Sequence, residues 1–390
     1  MQYVLNLGLI LLFTKALGMV SRKFKLPQVV GAILAGLFLG PAMLNIITET
    51  EFIDNMSKLG VILLMFSAGI GTDLQAFKKT GKTSFVVALF GVLVPLAGGF
   101  LITWFASSIG LIQISESNGS EFLQYAFIGT ILTATSVSIT VEALKEMGKL
   151  NSDVGNTILA SAIIDDVLGI IVLTVVLGFA DTSVSLWIVL LKVLAFIVVA
   201  GATSILFNKV FDRYQRVFHH DKRRFITFAL VFCFFMAYIA ETYFNVADIT
   251  GAFMAGLAIS DTQRREYIAQ RTEVLGYAVF SPIFFASIGL RVSLPSMNFG
   301  LIVFSLILLF VASSTKIVGC GLAAKLFKFN NSEALQIGVG MMTRGEVALI
   351  IANKGANMGI MSDIFFGPIV IVVIATAILT PTLLKVVFSK

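Results

Sequence analysis

Apolar runs of about 20 residues recur along almost the whole chain, and they constrain the fold more than any other feature. A helix needs about 20 apolar residues to cross a bilayer core of about 30 Å. Because 57% of the 390 residues are hydrophobic and 13% are charged, we expect an all-α polytopic membrane protein with no soluble regulatory domain. A membrane β-barrel is excluded, since its strands are alternating segments of only about 10 residues.

Thirteen candidate membrane spans follow from these runs, at residues 3–20, 27–47, 58–72, 83–109, 122–147, 154–179, 184–208, 225–243, 246–260, 272–290, 299–326, 332–356 and 363–387. Lys and Arg concentrate at the loops after odd-numbered spans, whereas the intervening loops carry only Lys58, Arg291 and Lys354. The positive-inside rule then predicts a cell-membrane protein with its N-terminus outside and its C-terminus in the cytoplasm. Because these dispersed loop residues explain the net charge of +6, we expect no nucleic-acid partner.

Part of the chain repeats itself. The sequence GAILAGL at 31–37 recurs as GAFMAGL at 251–257, and Gly69 matches Gly289 at the same offset of 220 residues. Small residues spaced along membrane helices also recur by chance, because they allow helices to pack closely. An offset that persists over a long stretch favours a true repeat.

The repeat predicts an inverted architecture. Further along the chain the offset is 210, with Thr133 matching Thr343. Both offsets shift the pattern by seven spans, an odd number, so the two six-helix units must cross the membrane in opposite senses. We predict one unit at about 3–179, a linker helix at about 184–208 and the second unit at about 225–387, the plan of many secondary transporters.

Polar residues interrupt the fifth and twelfth spans, where inverted-repeat transporters bind substrate at broken helices. Carbonyl and hydroxyl oxygens exposed at a break could ligate a cation, although Ser and Thr commonly bond back to the preceding helical turn. Arg344 and Glu346 are expected to stabilise the twelfth-span break or bridge it to the fifth span, with Glu142 a candidate partner of Arg344. The residues of this predicted broken-helix region are Thr133, Thr135, Ser136, Ser138, Arg344 and Glu346.

Two adjacent carboxylates, Asp165 and Asp166, lie in the middle of the sixth span. A charge at this depth costs on the order of 2.5–3.5 kcal/mol even on insertion scales. Neighbouring helical side chains point about 100° apart, so we expect the two to have different partners. Lys316 of the eleventh span is a candidate partner for one. The repeat aligns the pair with Ala375 and Thr376, so we interpret the charges as an ion- and proton-binding site, with a structural ion network as the alternative.

The combination of TATSVSIT, IIDD, Lys316 and TRGEVAL resembles the monovalent cation:proton antiporter-2 family, and within it the NapA-type sodium/proton antiporters, over essentially the whole chain. The resemblance implies thirteen helices, two crossing broken helices, a mobile core domain and a dimerisation domain, hence a homodimer. It makes Asp166 the main carboxylate for Na⁺ and H⁺ and Asp165 the partner of Lys316. It implies exchange of Na⁺, or of Li⁺ or K⁺, for protons across a lipid bilayer by alternating access, without cofactor or enzymatic activity.

Two other classes of membrane protein remain as hypotheses. In a sodium-coupled organic anion symporter, helix N-termini would bind the substrate carboxylate and the acidic pair would bind sodium. Glu346 and the adjacent aspartates disfavour such an anion pocket. A channel or a membrane sensor is disfavoured because the sequence has no carbonyl-filter motif of the TVGYG kind and no sensory domain.

Overall fold

The computed structural model describes residues 1–24, 26–72, 79–112, 120–180, 186–217, 222–292 and 297–389, and all regular elements in these ranges are helical. The helices are α1 (Gln2–Lys23), α2 (Gln28–Leu39), α3 (Glu51–Gly71), α4 (Gly81–Ser108), α5 (Glu121–Thr133), α6 (Val137–Glu146), α7 (Asp153–Ala180), α8 (Leu186–Val217), α9 (Lys222–Phe244), α10 (Asp248–Ser260), α11 (Arg265–Leu275), α12 (Ser281–Leu290), α13 (Phe299–Leu326), α14 (Asn331–Gly340), α15 (Glu346–Asn357) and α16 (Phe366–Phe388). A π-helical turn joins α11 to α12, and a 3-10 turn precedes α16.

Ten segments in the described ranges are long and apolar enough to cross a membrane, counting α5 with α6 and α11 with α12. Three shorter apolar helices add to them: α2, α10 and the greater part of α15. The expectation of an all-α, multi-pass membrane protein is thereby confirmed. The count of thirteen spans stays a prediction, because these three helices fall short of a full crossing length by themselves.

The helices pack as two groups. In the first group α2 packs against α1 and α12, while α3 packs against α10 and α12, and α9 lies against α10. In the second group α4 packs against α5, α7 and α13, and α13 packs against α14 and α16. Helix α8 contacts α7 on one side and α9 and α10 on the other. Helices α6 and α15 both contact α16 and belong to the second group, which therefore contains all the candidate site residues.

Close approaches between helices of the first group occur in related pairs. A Cβ atom added to Gly36 would lie 1.9 Å from the carbonyl oxygen of Ala286. One added to Gly256 would lie 2.2 Å from the carbonyl oxygen of Phe66. The offset of 220 relates position 36 to 256 and position 66 to 286. The contact of Gly36 with Ala286 therefore has its counterpart in the contact of Gly256 with Phe66. At such distances only glycine lets the helix backbones meet.

Several predicted helix ends are wrong. The second span was expected to reach 47, but α2 ends at Leu39 because Pro41 follows, and proline disfavours helix at its own position and the one before it. The seventh span was expected to end at 208, but α8 continues to Val217. The ring of Phe211 in this extension stacks on that of Phe228 in α9, with centroids 6.0 Å apart. The tenth span was expected to begin at 272, but its first helix, α11, already begins at Arg265.

Candidate ion-binding site

Asp165 and Lys316 form an ion pair inside the second helix group. The Nζ atom of Lys316 donates to both carboxylate oxygens of Asp165, at 2.9 Å and 3.0 Å. The two side chains are 0% and 1% exposed for Lys316 and Asp165 respectively. Taking an ion out of water costs several kcal/mol, so at this burial each charge is tolerated because the other offsets its desolvation.

Gly91 of α4 provides the space that this ion pair occupies. A Cβ atom at this position would lie 2.8 Å from the sulfur of Cys320. It would also lie 3.4 Å from Nζ of Lys316 and 3.5 Å from Oδ1 of Asp165. Helix α4 therefore encloses the pair on a third side. Sequence reasoning missed Gly91, since nothing in the pattern singles it out among 33 glycines.

The two broken helices touch at their breaks. Residues 134–136 separate α5 from α6, and residues 341–345 separate α14 from α15. The backbone N–H of Ser136 donates to the carbonyl oxygen of Thr343 at 2.8 Å. The hydroxyl group of Thr140 lies 3.0 Å from that of Thr343. Non-helical backbone at membrane depth needs such partners, because the bilayer supplies no water to bond it.

The hydroxyl groups of the predicted broken-helix region all lie in the interior, at most 2% exposed. Thr133 bonds back to a carbonyl oxygen of the preceding turn at 2.7 Å. Thr135 lies 3.5 Å from a carbonyl oxygen of the second break, and the hydroxyl oxygens of Ser136 and Ser138 lie 3.4 Å apart. Glu346 is the first residue of α15, and its side chain lies outside the described part of the structure. The structure thus brings the hydroxyl groups together at the breaks.

Arg344 joins the second break to the first and to α13. Its Nη2 atom donates to the carbonyl oxygens of Leu132 and Ala312, at 2.8 Å and 3.0 Å. Leu132 lies at the C-terminal end of α5, where carbonyl groups without helical partners carry partial negative charge. A fully buried guanidinium group is therefore stabilised by carbonyl oxygens. The expected bridge between the breaks is present, but the expected pairing with Glu142 is wrong, because that side chain lines cavities elsewhere.

Asp166 lies on a different face of α7 from Asp165 and is partly exposed. Gly169, three residues later, shares the face of Asp166. A Cβ atom at Gly169 would lie 3.9 Å from the hydroxyl oxygen of Thr133. Ile170, one turn after Asp166, lines a cavity of about 950 Å³. The face of α7 that carries Asp166 therefore meets both the first break and a cavity.

Two cavities enter the molecule from opposite ends of α3. The larger cavity contacts the first half of α3, and its charged lining residues are Glu49, Glu51, Asp54, Glu241, Asp248, Lys58, Arg291 and Lys354. The second, of about 760 Å³, contacts the last half of α3, and its charged lining residues are Arg22, Glu142, Lys145, Glu146, Arg271 and Glu273. Carboxylates outnumber basic groups in the larger cavity, so its potential favours cations.

Known proteins are similar to this chain in sequence and in fold. The profile of the family described as "sodium/hydrogen exchanger, transmembrane" matches residues 8–390. The chain is 37% identical to the Na⁺/H⁺-K⁺ antiporter GerN of Bacillus cereus, over 100% of this chain and 97% of GerN. It is 35% identical to a Na⁺/H⁺ antiporter of Enterococcus hirae, over 100% of this chain and 99% of that protein.

Among solved structures, the sodium proton antiporter MjNhaP1 of Methanocaldococcus jannaschii superposes with a TM-score of 0.70 at 18% identity, covering 99% of this chain and 96% of MjNhaP1. At this identity the similarity establishes a shared fold. The family profile and the relatives above 30% identity extend over nearly the whole chain. The chain therefore belongs to the transmembrane sodium/hydrogen exchanger family, whose members are secondary transporters and not enzymes.

Proposed function

We propose that this chain exchanges Na⁺ for protons across the cell membrane, with Asp166 as the carboxylate that binds both. The observation that carries the proposal is the different setting of the two aspartates. Both oxygens of Asp165 are bonded by Lys316, whereas Asp166 lies on the face that meets the first break and the larger cavity. K⁺ is a further candidate cation because GerN is named for it, and Li⁺ is another. The symporter hypothesis has no support among the relatives.

Competition at one carboxylate is sufficient for exchange. Na⁺ bound to Asp166 is completed by oxygen ligands, which the carbonyl and hydroxyl groups of the neighbouring break can supply. A proton on the same carboxylate neutralises it and releases the cation. Without either ligand the site carries a bare charge, which is costly to move through the apolar interior. The loaded forms therefore reorient, and the empty one does not.

The test is proton movement in everted membrane vesicles, followed with a pH-sensitive dye after addition of Na⁺, Li⁺ or K⁺. Asp166→Asn should abolish the cation-dependent change, because the amide can neither take up the proton nor balance the cation charge. Asp153→Asn is the matched control, since Asp153 is an exposed carboxylate at the start of the same helix. Exchange that persists in Asp166→Asn would refute the assignment.

We also propose thirteen spans arranged as the inverted repeat, with the larger cavity outside and the second cavity facing the cytoplasm. A further exchanged contact supports the repeat: a Cβ atom at Gly69 would lie 2.3 Å from the carbonyl oxygen of Phe253, and one at Gly289 would lie 2.4 Å from that of Ile33.

Labelling with an impermeant maleimide tests the orientation. In intact cells Lys354→Cys should react and Lys328→Cys should not, whereas both should react after permeabilisation. The native cysteines Cys233 and Cys320 are buried and should give little background. Reaction of Lys328→Cys in intact cells would reverse the orientation.

A homodimer is the oligomeric state that we propose. Helix α1 exposes Leu5, Leu12 and Met19, each about 60% accessible and spaced seven residues apart on one face. Such a stripe suits packing against a second copy of α1 within the bilayer. A Leu12→Cys variant should therefore form a disulfide-linked dimer in membranes, and a purely monomeric product would count against this interface.

A further inference from the structure

Glu146, the last residue of α6, caps the N-terminus of α2. The backbone N–H of Gln28 donates to both carboxylate oxygens of Glu146, at 2.9 Å and 3.0 Å. Helix α2 starts after Pro27 and has no side-chain cap of its own. Its first N–H is therefore satisfied by a carboxylate 118 residues away in sequence, at the helix end where the dipole favours negative charge.

A second contact beside this cap ties α6 to the first helix group. Nζ of Lys145 lies 2.9 Å from a carboxylate oxygen of Glu273 on α11. Their side chains are 34% and 49% exposed, and Glu146 is exposed as well, so both contacts lie at the water-facing end of α6 and each is individually modest. Helix α6 begins directly after the first break, so the two contacts join the helix that leads from the ion site to α2 and α11.

The positions that the repeat relates to this contact do not form its equivalent in the described part of the chain. At the offset of 210, Glu146 corresponds to Ala356, which has no carboxylate. At the offset of 220, Gln28 corresponds to Asp248, the first residue of α10. There Oδ1 of Asp248 accepts the N–H of Ile249 at 2.7 Å, so the carboxylate at the start of α10 belongs to α10 itself and does not join it to a distant helix. The two related ends therefore differ in the contacts that hold them.

We propose that Glu146 and Lys145 form a latch with Gln28 and Glu273 that holds the transporter closed at its cytoplasmic end. The inference rests on the proposed antiport by alternating access. A group that moves Asp166 between the two sides must break the latch to open towards the cytoplasm. Among the described residues, the repeat-related positions Ala356 and Asp248 form no equivalent contact. The latch therefore biases the resting population towards the outward-open state.

A shift in this population changes the apparent affinities on the two sides in opposite directions. The apparent dissociation constant is the intrinsic one divided by the fraction of protein in the competent state. A hydrogen bond to a charged group contributes enough to change that ratio of states by about tenfold when it is lost. Loss of the latch should therefore shift the ratio of cytoplasmic to external KM for Na⁺ by about tenfold towards tighter cytoplasmic binding, without changing the ion site.

The experiment measures uptake of radioactive sodium by proteoliposomes with the full chain inserted in a known orientation, with Na⁺ varied on each face in turn. Glu146→Ala should show the shifted KM ratio. Glu146→Gln keeps an acceptor oxygen without the charge and should fall between Glu146→Ala and wild type. Glu266→Ala is the matched control, because Glu266 is an exposed carboxylate in the first turn of α11, and it should keep the wild-type ratio.

An unchanged ratio in Glu146→Ala, or an equal shift in Glu266→Ala, would overturn the latch. If Glu146→Ala is not recovered in membranes, Glu146→Gln decides by the same criterion. The proposed function fails separately, since it requires Na⁺-dependent proton movement by the wild type. Exchange by the wild type combined with an unchanged ratio in the variants would reject the latch alone.

Discussion

Replacing Lys316 by Gln tests how much the buried ion pair contributes to stability. The substitution removes the charge that meets both oxygens of Asp165 at 2.9 Å and 3.0 Å. Since the two side chains are 0% and 1% exposed, water cannot replace the lost partner. Removing one member of a fully buried pair costs about 3–5 kcal/mol, because it leaves an uncompensated charge. We expect a loss of this size for Lys316→Gln.

The double variant Asp165→Asn with Lys316→Gln separates this cost from loss of packing. Both side chains keep nearly their original volume, and neither position carries a charge. Replacing a buried ion pair by hydrophobic residues of similar volume is often close to neutral for stability, and the two amides introduced here can hydrogen-bond to each other. The double variant should therefore recover most of the stability that Lys316→Gln loses.

Thermal unfolding of the detergent-solubilised protein at one fixed heating rate is the assay, because membrane proteins commonly unfold irreversibly. Lys316→Gln should lower the apparent Tm by on the order of 5 °C. The double variant should unfold close to the wild-type temperature. If Lys316→Gln were as stable as the wild type, or the double variant as unstable as Lys316→Gln, the pair would not act as a compensated buried charge. If the double variant is stable, its Na⁺-dependent proton movement in vesicles will show whether transport needs the ion pair of Asp165 and Lys316.

Three further predictions follow from the site. Gly91→Val should destabilise the protein by about 1–3 kcal/mol through overpacking against the ion pair. Gly201→Ala is the control, because a Cβ atom added there meets nothing within 4 Å. The apparent Tm should fall for Gly91→Val and stay unchanged for Gly201→Ala. Arg344→Met should lower the Tm because buried carbonyl oxygens lose their donor at about 1–3 kcal/mol each, while the exposed Arg265→Met should have little effect. If two protons enter for each Na⁺ that leaves, an inside-negative potassium/valinomycin potential should accelerate Na⁺ exit, since each net charge gains about 2.3 kcal/mol per 100 mV; a rate indifferent to voltage would exclude this stoichiometry.

The sequence revealed the ionisable residues of the site because a charge inside an apolar run has few explanations. Asp165, Asp166 and Lys316 stand out for this reason, and the hydroxyl cluster marks the first break. The partners of Arg344 could not be predicted in the same way. They are backbone carbonyl oxygens, which every residue has, so no side-chain pattern indicates which of them a guanidinium group will meet.

Helix ends show a similar division between local and long-range causes. The end of α2 has a local cause, since Pro41 follows it closely, and the apolar run beyond it concealed this signal. The extension of α8 has a distant cause. It depends on the packing of Phe211 against Phe225 and Phe228 of α9, and hydropathy along one segment contains no information about a neighbour. The Glu146 cap of α2 escaped prediction for the same reason.

The repeat gives an argument for the role of Asp166 that composition alone does not provide. In the proposed repeat Thr376 corresponds to Asp166, and its hydroxyl oxygen accepts the backbone N–H of Arg344 in the second break at 3.0 Å. In the proposed repeat Arg344 corresponds to Ala134 in the first break, and from this correspondence we expect Asp166 to lie near the backbone there. A neutral hydroxyl group performs this contact in one unit. The fold therefore has no need of a carboxylate in the other, and we interpret its insertion cost of about 2.5–3.5 kcal/mol as the consequence of binding an ion.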